Sequence, residues 1–91
     1  MPIELLNIGF GNVVAVHRIV AMTASGSSPL KRMVDEAARD HRLIDATNGR
    51  RTRTILVTDS NHVVLSHVHL ATLAQKMERD DGKERMDDDA L

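Results

Sequence analysis

From Leu43 to Thr58 the chain runs LIDATNGRRTRTILVT, and the topology hangs on how this segment folds back on itself. Asn48-Gly49 is the strongest short hairpin signal in the chain, because a type I′ turn needs positive φ at both central residues and Asn and Gly supply it at little cost. Leu43 to Thr47 then reads as a short strand and residues 50–58 as its return strand. Asp59-Ser60-Asn61 forms a second turn, followed by a strand over 62–67. Successive side chains of a strand face opposite ways. Arg51, Arg53, Ile55 and Val57 would share one face, and Arg50, Thr52, Thr54, Leu56 and Thr58 the other. Both faces are polar beside the turn and apolar beyond it. The expectation is a hairpin whose tip extends past the core and carries three guanidiniums within four residues.

Upstream, residues 3–8 read as a strand, and Gly9-Phe10-Gly11-Asn12 as a turn in which glycine admits positive φ. Residues 13–16 and 19–24 continue as strand, with His17 and Arg18 marking a bulge or bend between them. Ser25-Gly26-Ser27-Ser28 is a loop. Ser28 is a candidate N-cap with Pro29 at the first helical position. Leu30, Met33, Val34, Ala37 and His41 then recur at helical spacing, which predicts a helix over about 28–42. Downstream, Leu70, Leu73, Ala74 and Met77 mark a short final helix. The order of elements predicts an α+β domain over residues 1–78: a small antiparallel sheet of hairpins with one central helix and a short C-terminal helix. Residues 79–91, rich in Asp, Glu, Lys and Arg with Gly82, read as a disordered tail.

Composition narrows the function classes. The chain has 91 residues, one aromatic (Phe10) and no cysteine, so no disulfide or thiolate metal site supports what is a small core. Forty-two per cent of its residues are nevertheless apolar, which is too many for a disordered chain and suggests burial of surface between subunits. The N-terminus lacks the basic start and apolar run of a signal peptide, and no stretch has the length to span a bilayer, so the expected location is the cytoplasm. The net charge of −1 hides an asymmetry: residues 1–77 hold nine basic and six acidic groups, a net of +3, and residues 78–91 three basic and seven acidic, a net of −4.

Arg50, Arg51 and Arg53 repel one another unless an anion or several acids lie nearby, and Asp45 is the one acid close in sequence. Arginine grips phosphate through a planar bidentate fork, Thr52 and Thr54 can add hydroxyl contacts, and a two-stranded ribbon fits the DNA major groove. A solvated hairpin tip or salt bridges to a neighbouring subunit would use the same residues. Arg18, inside an apolar run, requires a partner or an edge position; it could form an inter-strand or inter-subunit salt bridge, or join Arg50 and Arg51 in an anion site. Gly9-Phe10-Gly11 lacks the spacing of either nucleotide-binding glycine motif and leads into a strand. His67 and His69 would share a strand face near His62, but no further ligand completes a metal set. No nucleophile–base–acid constellation is visible. The reading is of a non-enzyme without cofactor or metal.

The opening MPIELLNIGFGNVVAVHRIVA, the stretch PLKRMVDEAA and the segment LIDATNGRRTRTILVTDSNHVVLS closely resemble the RemA-like family of extracellular-matrix regulators, over about residues 1–77. N-I-G-F-G-N and D-A-T-x-G-R-R-T-R are unusual strings and occur in the expected order. The resemblance implies a LytTR-like DNA-binding domain that assembles into a ring-shaped homo-oligomer, a heptamer or octamer, and engages double-stranded DNA along the outside of the ring. It implies a transcriptional regulator of biofilm-matrix genes whose DNA-contacting arginines fall on Arg18, Arg50 and Arg51, with Arg53 in the same motif. Two other readings use the same arginines: an RNA-binding ring, and a structural oligomer with arginine salt bridges at its interfaces.

Overall fold

The computed structural model describes residues 3–85. In chain order the elements are β1 (Leu5–Gly9), β2 (Asn12–Ala15), a 3-10 turn over Val16–Arg18, β3 (Ile19–Ala24), α1 (Ser28–Arg39), β4 (Leu43–Asp45), β5 (Thr54–Thr58), β6 (Val63–Ser66) and α2 (Leu70–Arg85). The class is α+β, as the sequence implies. β1 and β2 form a separate antiparallel hairpin with a bulge between Asn7 and Gly9. The other four strands make one sheet in the order β3-β5-β6-β4.

That sheet departs from an antiparallel set of hairpins. β4 does not pair with β5; it lies parallel to β6, with Leu43 opposite Val63 and Asp45 opposite Leu65. β5 pairs antiparallel with β3 on one side and β6 on the other. The two arms expected to pair across Asn48-Gly49 are therefore held one strand apart, with β6 between them. The cause lies in what surrounds β5 and β6. Thr54, Ile55, Leu56 and all of Val63–Ser66 are buried. A strand covered on both faces reads as a continuous apolar run rather than an alternating one, and Ile55–Val57 and Val63–Leu65 are such runs, flanked by the buried, hydrogen-bonded Thr54 and Ser66. They belong at the centre of the sheet. LID, with two of its three residues exposed, belongs at an edge.

Two cores follow from this arrangement. On one face Ile55, Val63 and Leu65 meet Ala37, Leu30, Met33 and Val34 of α1, with Leu43 beside them. On the other, Leu56 and Val64 meet Leu6 and Ile8 of the hairpin and Leu73 of α2, with Met77 and Val68 beside them. The sheet is thus the middle of three layers, α1 below it and the β1–β2 hairpin with α2 above.

Local corrections have local causes. Ser27, not Ser28, caps α1: its Oγ accepts from the Leu30 N–H at 3.4 Å, and Pro29 lies in the first turn. The helix stops at Arg39 because His41 turns left-handed at φ 60°. The Arg42 N–H then donates to the Ala37 carbonyl at 2.8 Å and the His41 N–H to Ala38 at 3.3 Å, the paired bonds of a Schellman end. His41 thus lies beyond the helix, not on its apolar stripe. The final helix is not short: it runs through Arg85, including residues 79–85 that the sequence assigns to the tail. Residues 86–91 lie outside the described residues. No helix of the described residues is long and apolar enough to cross a membrane.

Candidate nucleic-acid interface

The segment between β4 and β5 is an anchored loop rather than a strand. At its start the Asp45 carboxylate accepts from the Thr47 hydroxyl at 2.6 Å and from the Thr47 N–H at 3.0 Å, an Asx turn that ends β4. These bonds, the hydroxyl's first, hold the Asp45 carboxyl below its ordinary value of 3.8. The Arg50 N–H then donates to the Thr47 carbonyl at 3.0 Å, across Asn48 and Gly49 with φ of 54° and 81°. The predicted type I′ turn is present, although it closes no ladder. At the far end the Arg53 N–H donates to Ser66 at 2.8 Å, and the Arg53 carbonyl accepts from the Ser25 N–H at 3.1 Å. The Ser25 hydroxyl donates to the Thr52 carbonyl at 2.7 Å.

Backbone anchoring at both ends leaves the side chains of the loop outside. Arg50 and Arg51 are exposed and Arg53 is half-buried. The alternation of Arg51 and Arg53 against Arg50 and Thr52 does not apply, since β5 begins at Thr54. Asp45 is occupied by Thr47. Among the described residues no carboxylate lies within 4.0 Å of the three guanidiniums.

Arg18 stands apart. It ends the 3-10 turn before β3, and its Nε donates to the Asp59 carboxylate at 2.7 Å, both side chains about half exposed. The Asp59 N–H returns a bond to the Arg18 carbonyl at 2.9 Å. Of the roles open to Arg18, an ion pair within its own chain is the one present. Ile19 pairs with Thr58 and Ala24 with Thr54, so Arg18 and the arginine loop sit at opposite ends of β5. Arg18 lies opposite Asp59, one residue beyond β5, and Arg53 one residue before it, so the two are about 20 Å apart along the sheet at the usual rise per strand residue. Within one protomer Arg18 does not join Arg50 and Arg51 around a single anion.

Sequence reasoning passed over Phe10. It occupies the tip of the β1–β2 hairpin at φ 53°, followed by Gly11 at 78°, so both central residues of the turn are left-handed. The residue is 45% exposed, and its ring packs on His67 at a centroid distance of 4.6 Å. The Arg50 guanidinium carbon lies over the Phe10 ring, 5.6 Å from its centroid. The sequence held one signal: an aromatic between two glycines, at a tip where Asn or Gly fits best. His67 and His69 do not share a strand face, because β6 ends at Ser66 and both lie in the connection to α2. Among the described residues no cluster of three metal-ligating side chains occurs.

Comparison with known proteins adds the family. Residues 5–77 match the family described as RemA-like, extracellular matrix regulatory protein A-like. The chain belongs to the RemA-like family. It is similar to a protein of Desulfatibacillum aliphaticivorans named "Putative regulatory protein", 60% identical over 72 residues that cover 79% of this chain and 81% of that one. A Thermotoga petrophila protein of the same name is 58% identical, over 79% of this chain and 78% of its own. A Clostridium acetobutylicum relative is 48% identical over 89 residues, 97% of each chain, so its likeness runs on past the RemA-like match into the charged tail.

Proposed function

We propose that this RemA-like chain is a non-catalytic transcriptional regulator that binds double-stranded DNA through arginines arrayed on a ring-shaped homo-oligomer. The observation that carries the reading is the arginine loop: Arg50, Arg51 and Arg53 project from a segment pinned at both ends, with no carboxylate near them among the described residues. Three close guanidiniums without acids are stabilised by an anion, and phosphate suits their fork. The relatives' name supports a regulatory role, and the family's description points to extracellular-matrix genes as targets. Arg18, at the other end of β5, would meet a second stretch of backbone. At about 20 Å along the sheet the two basic ends are too far apart to share one phosphate, so they would address separate backbone positions.

A few arginines per protomer give weak binding, and several protomers on one duplex multiply it through effective concentration. Both outer strands of the sheet, β3 and β4, are open edges in the single chain. They run in the same direction, so joining the β3 of one copy to the β4 of the next would be a head-to-tail contact, the kind that closes into rings.

The experiment is duplex binding across a salt series with oligomer mass measured in parallel, for wild type and Arg50→Ala/Arg51→Ala. The expected variant keeps its mass, loses most of its affinity, and shows a log–log salt slope shallower by about 0.9 per lost phosphate contact. Dissociation of the variant into monomers would instead make the arginines interface residues. Arg18 has an observation favouring a structural role, its Asp59 pair. Equal DNA affinity for Arg18→Ala and wild type would restrict the interface to the loop.

A further inference from the structure

Phe10 sits where an aromatic residue is hardest to place. The first central position of a hairpin turn with left-handed φ suits Asn or Gly, and a side chain with a bulky Cβ is strained there. Nor does Phe10 gain full burial in exchange, since nearly half its surface is exposed although it is the one aromatic in the chain. Its surroundings are nevertheless built to hold it. The Gly9 N–H donates to Asn7 Oδ1 at 2.8 Å, and Asn12 Nδ2 donates to the Gly9 carbonyl at 3.0 Å. The buried Ser66 hydroxyl donates to the Ile8 carbonyl at 2.8 Å and accepts from the Val68 N–H at 3.1 Å, tying the hairpin to the end of β6. His67, between those two residues, lies so close to Gly9 that a Cβ there would stand 2.8 Å from its Nδ1 and closer still to its Cε1. Its Nδ1 is buried and has no hydrogen-bond partner among the described residues. The imidazole is therefore held by packing, with Gly9 and Phe10 as its neighbours.

On this base lies Arg50, its Cζ 5.6 Å from the Phe10 centroid, within the range of a cation–π contact. The way Arg50 is held differs from the way Arg18 is held. Asp59 fixes Arg18 by neutralising it and occupying its Nε–H. An aromatic face orients a guanidinium without cancelling its charge, and it leaves the in-plane N–H groups free for a phosphate fork. Ordering a long side chain before binding also lowers the entropy lost when the partner arrives.

We propose that Phe10, seated on His67, is a positioning residue that orients Arg50 for the DNA backbone, so that the β1–β2 hairpin tip belongs to the nucleic-acid interface. This rests on the reading of Arg50 as a DNA contact. Three segments distant in sequence, the hairpin tip, the arginine loop and the β6–α2 connection, thereby act as one unit.

The test uses the full chain and a DNA duplex, with Phe10→Leu, Phe10→Tyr, Arg50→Ala and the double variant Phe10→Leu/Arg50→Ala. Leu and Tyr carry the same backbone strain at this position, and Tyr keeps the aromatic face. Phe10→Leu is expected to weaken binding roughly fivefold, the size of an exposed cation–π contact. Phe10→Tyr stays near wild type, and Phe10→Leu adds no loss in the Arg50→Ala background. If Arg50→Ala weakens binding and Phe10→Leu does not, the proposal fails while the DNA reading stands. If Arg50→Ala binds like wild type, the reading of Arg50 itself fails. An equal loss from Phe10→Leu with and without Arg50 overturns positioning, because Phe10 would then act on its own. Should Phe10→Leu fail to fold, the ring-current upfield shift of the Arg50 side-chain protons in the wild-type protein decides. Its presence with and without duplex supports the proposal, and its absence in either state overturns it.

Discussion

Gly9 and Gly49 share a backbone conformation and differ in what surrounds them, which separates two costs usually confounded. Both have positive φ, 108° and 81°. A methyl group at Gly49 meets nothing within 4 Å, whereas at Gly9 it runs into His67. Gly49→Ala therefore carries the left-handed penalty alone, about 1 kcal/mol. Gly9→Ala must also displace the imidazole from between Gly9 and Phe10, and is expected to cost about 2 kcal/mol or more. Denaturant midpoints of the two variants give the order directly; equal losses would mean that His67 moves aside freely. The DNA reading adds a second contrast, since Gly9→Ala disturbs the seat of Arg50 through Phe10 and Gly49→Ala disturbs only the turn. Asp45 shows a different kind of single-residue control. Its carboxyl is held below 3.8 by the Thr47 hydroxyl and N–H. A folded-state value depressed below the unfolded one stabilises the fold above the unfolded value, and that contribution is lost as pH falls through the folded value. Asp45→Asn keeps the shape of the turn without the charge. The stability advantage of wild type over Asp45→Asn is thus expected to be constant near neutrality and to shrink below about pH 4. An advantage independent of pH down to acid unfolding would show that the charge contributes nothing.

Elements were legible in proportion to how local their causes are. The run IVAMTA gave β3 to the residue, and the 3.6-residue recurrence of Leu30, Met33, Val34 and Ala37 gave α1 and its buried side. Asn48-Gly49 gave a turn with the left-handed angles expected of it. What it could not give was the partner of the strands on either side, because strand pairing is settled by burial elsewhere in the chain. The Thr47 N–H goes to the Asp45 carboxylate, which stops β4 after three residues, and the Ala46 N–H goes to Leu65 of β6 rather than to β5. The apolar runs ILV at 55–57 and VVL at 63–65, neither interrupted by a polar residue, were the clue that these strands lie at the centre with both faces covered. The arginines were legible as a set in the same way: the sequence placed Arg50, Arg51 and Arg53 outside the core, but the distance to Arg18 depends on the β3–β5 register. The end of α1 was missed because the residue that ends it, His41, is not the glycine that such a position favours. This gives a test at the same scale. His41→Gly removes the left-handed penalty at some cost in unfolded-state entropy, so the variant is expected to gain about 0.5–1 kcal/mol. A loss of stability would show that the His41 side chain makes a contact worth more than the strain it imposes.

For the molecule as a whole, charge distribution matters more than net charge. A body of +3 carries the arginine loop, while the segment after Lys76 and Met77 contributes a net −4. α2 links the two: Leu73 and Met77 pack it onto the core beneath the hairpin, and the helix then continues to Arg85, so the acidic segment starts from a fixed point on the body. Lys76 fixes that point further, its Nζ donating to the Asn7 carbonyl of β1 at 3.3 Å. Tethered acids compete with phosphate for arginines at an effective concentration set by the tether. On this reading the last residues lower DNA affinity without contacting DNA, and a ring would repeat the effect at every protomer. Deleting residues 79–91 is expected to raise duplex affinity at low salt. The gain should fade as the Debye length contracts from about 10 Å at 0.1 M to about 3 Å at 1 M. A deletion that leaves low-salt affinity unchanged would remove the competition. A gain that persists undiminished at high salt would point to steric blocking by the helix end rather than to charge. The deletion leaves Leu73 and Met77 in place, so a change in oligomer mass would mean that residues beyond the packed part of α2 take part in assembly, and the binding data would then need to be compared at equal oligomer mass.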